Sequence, residues 1–232
     1  MKLQDSVILI TGANRGIGLA FAREALARGA RRVYAGARDP STVTLAGVEA
    51  IKLDVTNPTD IAAAAELAKD VTLLVNNAGI ALPGGFLAAD GDASLRRQLE
   101  TNVFGMLNMT RAFAPVLAAN GGGALLNVLS VASWINAPAL ATYSASKSTA
   151  WSLTNGLRHE LRGQGTQVLG LHMGFVDTDL TQGIDAPKSA PEVIVRTALD
   201  ALENGAEEVL ADELTRQVHL GLSAEPPAYL GH

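Results

Sequence analysis

The distribution of apolar and polar positions along the chain switches repeatedly between two periods. Val7-Ile8-Leu9-Ile10 is a continuous apolar run ending in Thr11-Gly12, the pattern of a strand buried on both faces and broken by a glycine turn. Ile17, Ala20, Phe21, Ala25 and Leu26 then keep helical spacing until Gly29, which suits a helix C-terminus, and Val33-Tyr34-Ala35 resumes the strand pattern. The alternation predicts a strand around Val48 to Val55, an alanine-rich helix from Pro58 to Lys69 and a strand Leu73-Leu74-Val75 entering Asn76-Asn77-Ala78-Gly79. It continues with a long helix from Ser94 to Leu117, a strand from Ala124 to Leu129, a helix from Thr142 to Leu161 and a strand from Val168 to Met173. A helix from Pro191 to Leu202 and a strand Glu208-Val209-Leu210 complete a seventh step, and Glu225 to Leu230 reads as an extended tail. Each crossover is long enough for parallel pairing, so the expected fold is α/β: one domain over residues 1–232, a doubly wound seven-stranded parallel sheet with helices on both faces.

Such sheets bind ligands outside the carboxyl ends of their strands, which places Gly12, Arg38, Asp54, Gly79, Ser130 and Gly174 along one rim. Composition narrows what that rim can do. With 232 residues and 48% hydrophobic content the chain can bury a substantial core, and zero cysteines exclude disulfides, thiolate metal sites and cysteine nucleophiles. The four histidines, His159, His172, His219 and His232, lack metal-ligand spacing, so no metal site is expected. A net charge of −5 with interspersed acids and bases argues against nucleic acid. No apolar run is long enough to span a membrane and the start leads directly into a strand, so a cytoplasmic protein is expected.

In Thr11-Gly12-Ala13-Asn14-Arg15-Gly16-Ile17-Gly18 the glycines allow backbone N–H groups to approach a pyrophosphate at a helix N-terminus, where the dipole favours negative charge. The spacing is Gly-x-x-x-Gly-x-Gly rather than G-x-G-x-x-G, and an ordinary tight connection is the alternative reading. A carboxylate at the second strand end would bind the ribose 2′-hydroxyl of NAD, and a cation there would pair with the 2′-phosphate of NADP. Gly36-Ala37-Arg38-Asp39, with Arg15 nearby, favours NADP(H); Asp39 is the counter-argument, and NAD(H) is the alternative cofactor.

Tyr143 and Lys147 stand four apart, so on a helix they share a face. A free phenol titrates near ~10, and exchanging a proton near neutral pH calls for a decrease of roughly two units, which a close cation can supply. Such a pair also occurs by chance on many solvated helices. A Ser-His-Asp hydrolase is excluded, because no G-x-S-x-G elbow surrounds Ser130.

Thr11-Gly12…Gly16-Ile17-Gly18, Asn76-Asn77-Ala78-Gly79, Asn102, Ser130 and Tyr143-x-x-x-Lys147 together resemble, in order and spacing, the signature of short-chain dehydrogenases/reductases, over roughly Val7 to Leu180. The resemblance implies a Rossmann fold and a carbonyl reductase, or ketoreductase, working with NADPH. Tyr143 would be the general acid, Ser130 would orient the carbonyl oxygen, Lys147 would lower the Tyr143 pKa and hold the nicotinamide ribose, and Asn102 would support a proton-relay water. It implies cofactor contacts from Gly12, Asn14, Arg15, Gly16, Ile17 and Gly18, from Arg38, from Asp54 and Val55 beside the adenine, from Asn77, Ala78 and Gly79, and from Gly174, Val176 and Thr178. Met173 replaces the proline usual before this glycine, which leaves the turn freer.

Trp134, Ile135 and Leu140 are the candidate substrate pocket, with Asp179 to Ser189 as a lid. An apolar wall suggests a small-molecule ketone or aldehyde, or the matching alcohol, with hydrophobic substituents. Relatives commonly pair helices equivalent to Ser94–Leu117 and Thr142–Leu161, so a homodimer is expected, with a tetramer disfavoured by the tail. An NAD-dependent alcohol dehydrogenase and a redox-silent dinucleotide sensor are the rival functions. A sensor has no need of Ser130, Tyr143 and Lys147 together.

Overall fold

The computed structural model describes residues 1–230. Seven strands form one parallel sheet in the order β3-β2-β1-β4-β5-β6-β7: β1 (Val7–Thr11), β2 (Arg32–Ala37), β3 (Glu49–Lys52), β4 (Leu73–Asn76), β5 (Ala124–Val128), β6 (Gln167–His172) and β7 (Glu208–Leu210). The helices are α1 (Gly16–Ala27), α2 (Pro58–Leu67), α3 (Gly91–Leu99), α4 (Met106–Ala119), α5 (Ala141–Leu161), α6 (Pro191–Glu203) and α7 (Glu213–Gly221). Period-two alternation explains the layers. Ile8 and Ile10 of β1, Leu73 and Val75 of β4, and Leu169 and Leu171 of β6 face a core closed by Phe21 and Ala25 of α1 and Ile194, Val195 and Leu199 of α6. Val7 and Leu9, Leu74, Leu125 and Val168 face the opposite core, closed by Ile61 of α2, Met109, Phe113 and Leu117 of α4, and Leu157 and Leu161 of α5. Both faces are therefore covered, as the uninterrupted apolar runs require.

The chain reverses its winding between β1 and β4, so the predicted rim lies at a topological switch point. Three local differences from the sequence pattern matter. The long helix is wider than expected, and residues Glu100–Gly105 between α3 and α4 form a π-helical segment that carries Asn102. Helix α7 adds an element beyond the expected ones, opened by a capping box in which Asp212 and Thr215 bond each other's backbone. The tail is not extended throughout, because Ala228–Leu230 closes a single 3-10 turn. Helix α1 ends as expected: Gly29 takes φ +78°, and the N–H groups of Gly29 and Ala30 bond the carbonyls of Leu26 and Ala25, a Schellman closure.

Candidate active site

The turn from β1 into α1 supplies an anion cradle. Gly12 and Gly16 adopt φ +67° and +54°, which a side chain would strain, and a Cβ on Gly18 would collide with the Gly12 carbonyl oxygen. Arg15 is the N-cap of α1, yet no side chain caps the helix and its first turn holds no acid, so the leading N–H groups are left for an anion. Asn14 and Ile17 are half-buried beside it. The residues thus fit the pyrophosphate of a dinucleotide. Asn77 acts on this turn from β4: its amide nitrogen donates to the carbonyls of Thr11 and Gly12 at 2.9 and 3.1 Å, while Thr11 Oγ1 accepts from the N–H groups of Asn77 and Ala78. Asn77 therefore shapes the cradle with its side chain; Gly79 beyond it is exposed on the rim.

Arg38, just past β2, is exposed and joins no ion pair among the described residues. Asp39 is occupied: Oδ1 accepts from Ser41 Oγ and N at 2.7 and 3.0 Å, bonds that hold its carboxyl below the usual range. Asp54 closes a similar turn by accepting from Thr56 N and Oγ1. Burial pushes its carboxyl up, but these bonds with Arg38 and Lys52 outweigh it, so the net direction is down. Val55 is buried against Gly105. Arg15 is differently placed from expectation, because Nη1 pairs with Asp179 Oδ2 at 2.7 Å with both side chains largely exposed. Thr178 packs beside Gly16 in the same contact zone, so the glycine turn and the segment after β6 meet across the ends of β4 and β5.

That segment is braced rather than loose. Met173 is buried, its carbonyl accepts from Val131 N at 2.8 Å, and Gly174 N donates to Asp212 Oδ2 at 2.6 Å. The carboxylate that caps α7 thus fixes the turn that lacks proline. Val176 is buried in the core and leaves its backbone at the rim, and the stretch Asp179 to Ser189 is pinched at its base by bonds of Ser189 with Phe175 and Asp177.

Ser130 follows β5 as the N-cap of a short 3-10 turn, its Oγ accepting from Ala132 N at 3.1 Å. Tyr143 and Lys147 lie one turn apart near the start of α5, as their spacing predicted. Lys147 is buried, donates to the Val128 carbonyl at 2.9 Å, and holds its Nζ 5.8 Å from the centre of the Tyr143 ring. The phenol differs from expectation: burial pushes it up to about 12, and the Ser130 hydroxyl draws it down only in part. Burial likewise pulls the Lys147 ammonium down to about 8. Desolvation governs both groups, and the ammonium is directed at a strand carbonyl.

Asn102 is saturated by protein. Its Oδ1 accepts from Ile80 N at 2.8 Å, and its Nδ2 donates to Ile80 O and Ser146 Oγ at 2.9 and 3.0 Å, so the side chain ties the turn after β4 to α5. Of the pocket residues, Ile135 and Leu140 are half-buried near the rim, but Trp134 is not available to a substrate. It is buried, stacked on His172 at 4.0 Å and set edge-on to Trp151 at 6.2 Å. Tryptophan's large apolar face favours the interior, and periodicity could not tell that from a pocket wall. The sequence reading also passed over Asp179, Asp212 and His172, whose partners lie far along the chain.

Comparison with known proteins agrees with this architecture. The family model for short chain dehydrogenases matches residues 6–189. A short chain dehydrogenase from Burkholderia cenocepacia, solved in complex with NADP, superposes with a TM-score of 0.94 at 39% identity, covering 98% of this chain and 97% of that one. Galactitol 2-dehydrogenase (L-tagatose-forming) of Cereibacter sphaeroides is 38% identical over 78% of this chain and 75% of its own. The ketoacyl reductase HetN of Nostoc is 31% identical over 91% and 80%. A glycine cradle, a Ser-Tyr-Lys group on one rim and a match over most of the chain converge: the chain belongs to the short-chain dehydrogenase family of oxidoreductases.

Proposed function

We propose that this protein reduces the carbonyl of a ketone or aldehyde bearing hydrophobic substituents, with NADPH as cofactor and Tyr143 as general acid. One observation carries the reading. Tyr143 and Lys147 stand one turn apart at the start of α5, with Lys147 Nζ 5.8 Å from the centre of the phenol ring and the Ser130 hydroxyl beside it, so a proton donor, a cation and a second hydroxyl meet on the rim next to the glycine cradle. Ser130, beside the phenol, supplies a second hydrogen bond and orients the carbonyl oxygen. Lys147, at about 8, still carries its charge at neutral pH and supports both the phenol and a ribose. When bound, the nicotinamide supplies the hydride to the carbonyl carbon. Because the Asn102 side chain is fully engaged, its support for a relay water runs through the main chain of the π-helical segment. Ile135 and Leu140 give the substrate an apolar wall.

The free Arg38 and the occupied Asp39 support a 2′-phosphate over a bare ribose hydroxyl, as does similarity to a relative solved with NADP. A second reading, oxidation of an alcohol with NAD, draws on similarity to galactitol 2-dehydrogenase; it needs Tyr143 as phenolate. Half-exposed Phe104, on the helix from α3 to α4, supports a homodimer formed through that helix and α5. The deciding experiment is a panel of ketones, aldehydes and secondary alcohols assayed with each cofactor by absorbance of the reduced nicotinamide. Consumption of NADPH with apolar ketones is expected. Preferential NAD-dependent oxidation would favour the second reading, and cofactor binding without any turnover would leave the sensor.

A further inference from the structure

Ser94 and Gln98 of α3 and Asn102 of the π-helical segment follow one another at four-residue steps, and all are buried. Helix α5 meets them with Thr142 and Ser146, buried before and after Tyr143 in the chain. Asn102 ties Ile80 to Ser146, and Gln98, one turn earlier, makes a parallel tie. Its Oε1 accepts from Leu82 N at 3.0 Å, and its Nε2 donates to Thr142 Oγ1 at 2.7 Å and to Ser94 Oγ at 3.3 Å. Only an acceptor can face the Leu82 N–H, so the amide has a single orientation. Burying an amide without exposure is costly, and a methionine would fill the same volume without that cost, so the gain lies in what the bonds hold in place.

What they hold is the loop after β4. Ile80, Ala81 and Leu82 are half-buried, and beyond them Gly84 N donates to the Ala139 carbonyl at 2.8 Å, in the turn that leads through Leu140 to Tyr143. The loop thus runs from Gly79 on the rim to the approach to the phenol, tied at Ile80, Leu82 and Gly84. We infer that Gln98 is a positioning residue that sets the width of the substrate cleft. Through Leu82 on one side and Thr142 on the other, it holds this loop at a fixed gap from Tyr143 and so determines how large a carbonyl substituent fits beside the phenol. The inference rests on the reading of Tyr143 as proton donor. Without Gln98 the loop keeps its ties at Ile80 and Gly84 and gives at Leu82. A compact ligand then loses a wall, whereas an extended one reaches past it.

Three variants of the whole chain test the role. Gln98→Met keeps the volume and removes all the bonds of the amide. Thr142→Val keeps the shape and leaves the Leu82 bond, and Gln98→Glu, a buried carboxyl that retains its proton, restores an acceptor and one donor. The probes are isobutyramide and hexanamide, carbonyl compounds that take up no hydride, titrated into NADPH-loaded protein by cofactor fluorescence. Gln98→Met is expected to lower the preference for the compact amide over the extended one about ten-fold, the effect of roughly one hydrogen bond. Thr142→Val should move it the same way by about three-fold, the double variant no further than Gln98→Met, and Gln98→Glu should stay within about two-fold of the parent. NADPH Kd should be unchanged throughout. The Leu82 amide proton should exchange with solvent about ten-fold faster in Gln98→Met but not in Thr142→Val. Where Gln98→Met fails to fold, Thr142→Val carries the same comparison. Equal weakening of both amides, a lowered Tm with no change of preference, or no binding of either amide to the parent would overturn the assignment. Binding needs no turnover: a shifted preference in a protein that reduces no ketone supports the positioning role and sinks the reductase reading, whereas ketone reduction with an unshifted preference does the opposite.

Discussion

At the residue scale the site is governed by desolvation. Lys147 is buried and Tyr143 half-buried beside it, and desolvation pushes each toward its uncharged form, the phenol up to about 12 and the ammonium down to about 8. Tyr143→Phe should retain NADPH binding and lose carbonyl turnover by at least ~10²-fold, measured by fluorescence titration and single-turnover kinetics. For Lys147 the sign follows from the direction of its shift. The folded state holds this proton less tightly than the unfolded chain, so the buried charge costs stability below about 8, and that cost fades as pH rises toward 10.5. Lys147→Met should therefore abolish turnover and raise the unfolding free energy at pH 7 by about 2–3 kcal/mol, less whatever the bond to Val128 contributes; denaturant titration at pH 7 and pH 10 reads the difference. Arg38→Asp should move the ratio of kcat/KM values toward NADH by at least about ten-fold, because the exposed guanidinium is replaced by the group that a ribose hydroxyl prefers. Residue types and spacing were legible for Ser130, Tyr143 and Lys147. The sign of the phenol shift was not, since four-residue spacing says which face two groups share and nothing about how dry that face is.

At the scale of elements, the strands and long helices were legible because their apolar periods run uninterrupted, and the misses have physical causes. Helix α7 is short and largely exposed, so Leu214, Val218 and Leu222 at helical spacing were too few to set it apart from a tail, and its clearer marker is the Asp212–Thr215 box. The π-helical segment is invisible to periodicity because it adds a local offset inside a helix whose outer pattern is intact. The β1–α1 junction is the least tolerant element. Gly18→Ala drives a methyl into the Gly12 carbonyl, so backbone must shift; we expect a cost of about 1–3 kcal/mol and a lowering of Tm by roughly 3–10 °C, with weakened NADPH binding in calorimetry.

At the scale of the whole molecule, two cores separated by one sheet make the rim a shelf that the loops after the strands cross. The order of the sheet was legible only as parallel pairing with a switch point, which sufficed to place the rim. Contacts between residues distant in sequence were not legible, because no local pattern connects Arg15 to Asp179. That ion pair has a kinetic meaning. It joins the glycine turn to the segment after β6, so a dinucleotide held on that turn as proposed would have to part it to leave. With both partners largely exposed, the pair contributes at most about 1 kcal/mol, and salt screens it further. If dissociation of the spent dinucleotide limits turnover, kcat should rise up to about five-fold between low and molar ionic strength, and Asp179→Asn should turn over at that faster rate in either buffer. Stopped-flow release of NADP would read it directly: faster release in salt and in Asp179→Asn would make the mouth a salt-sensitive latch, with the pace of the cycle set at the door rather than at the shelf.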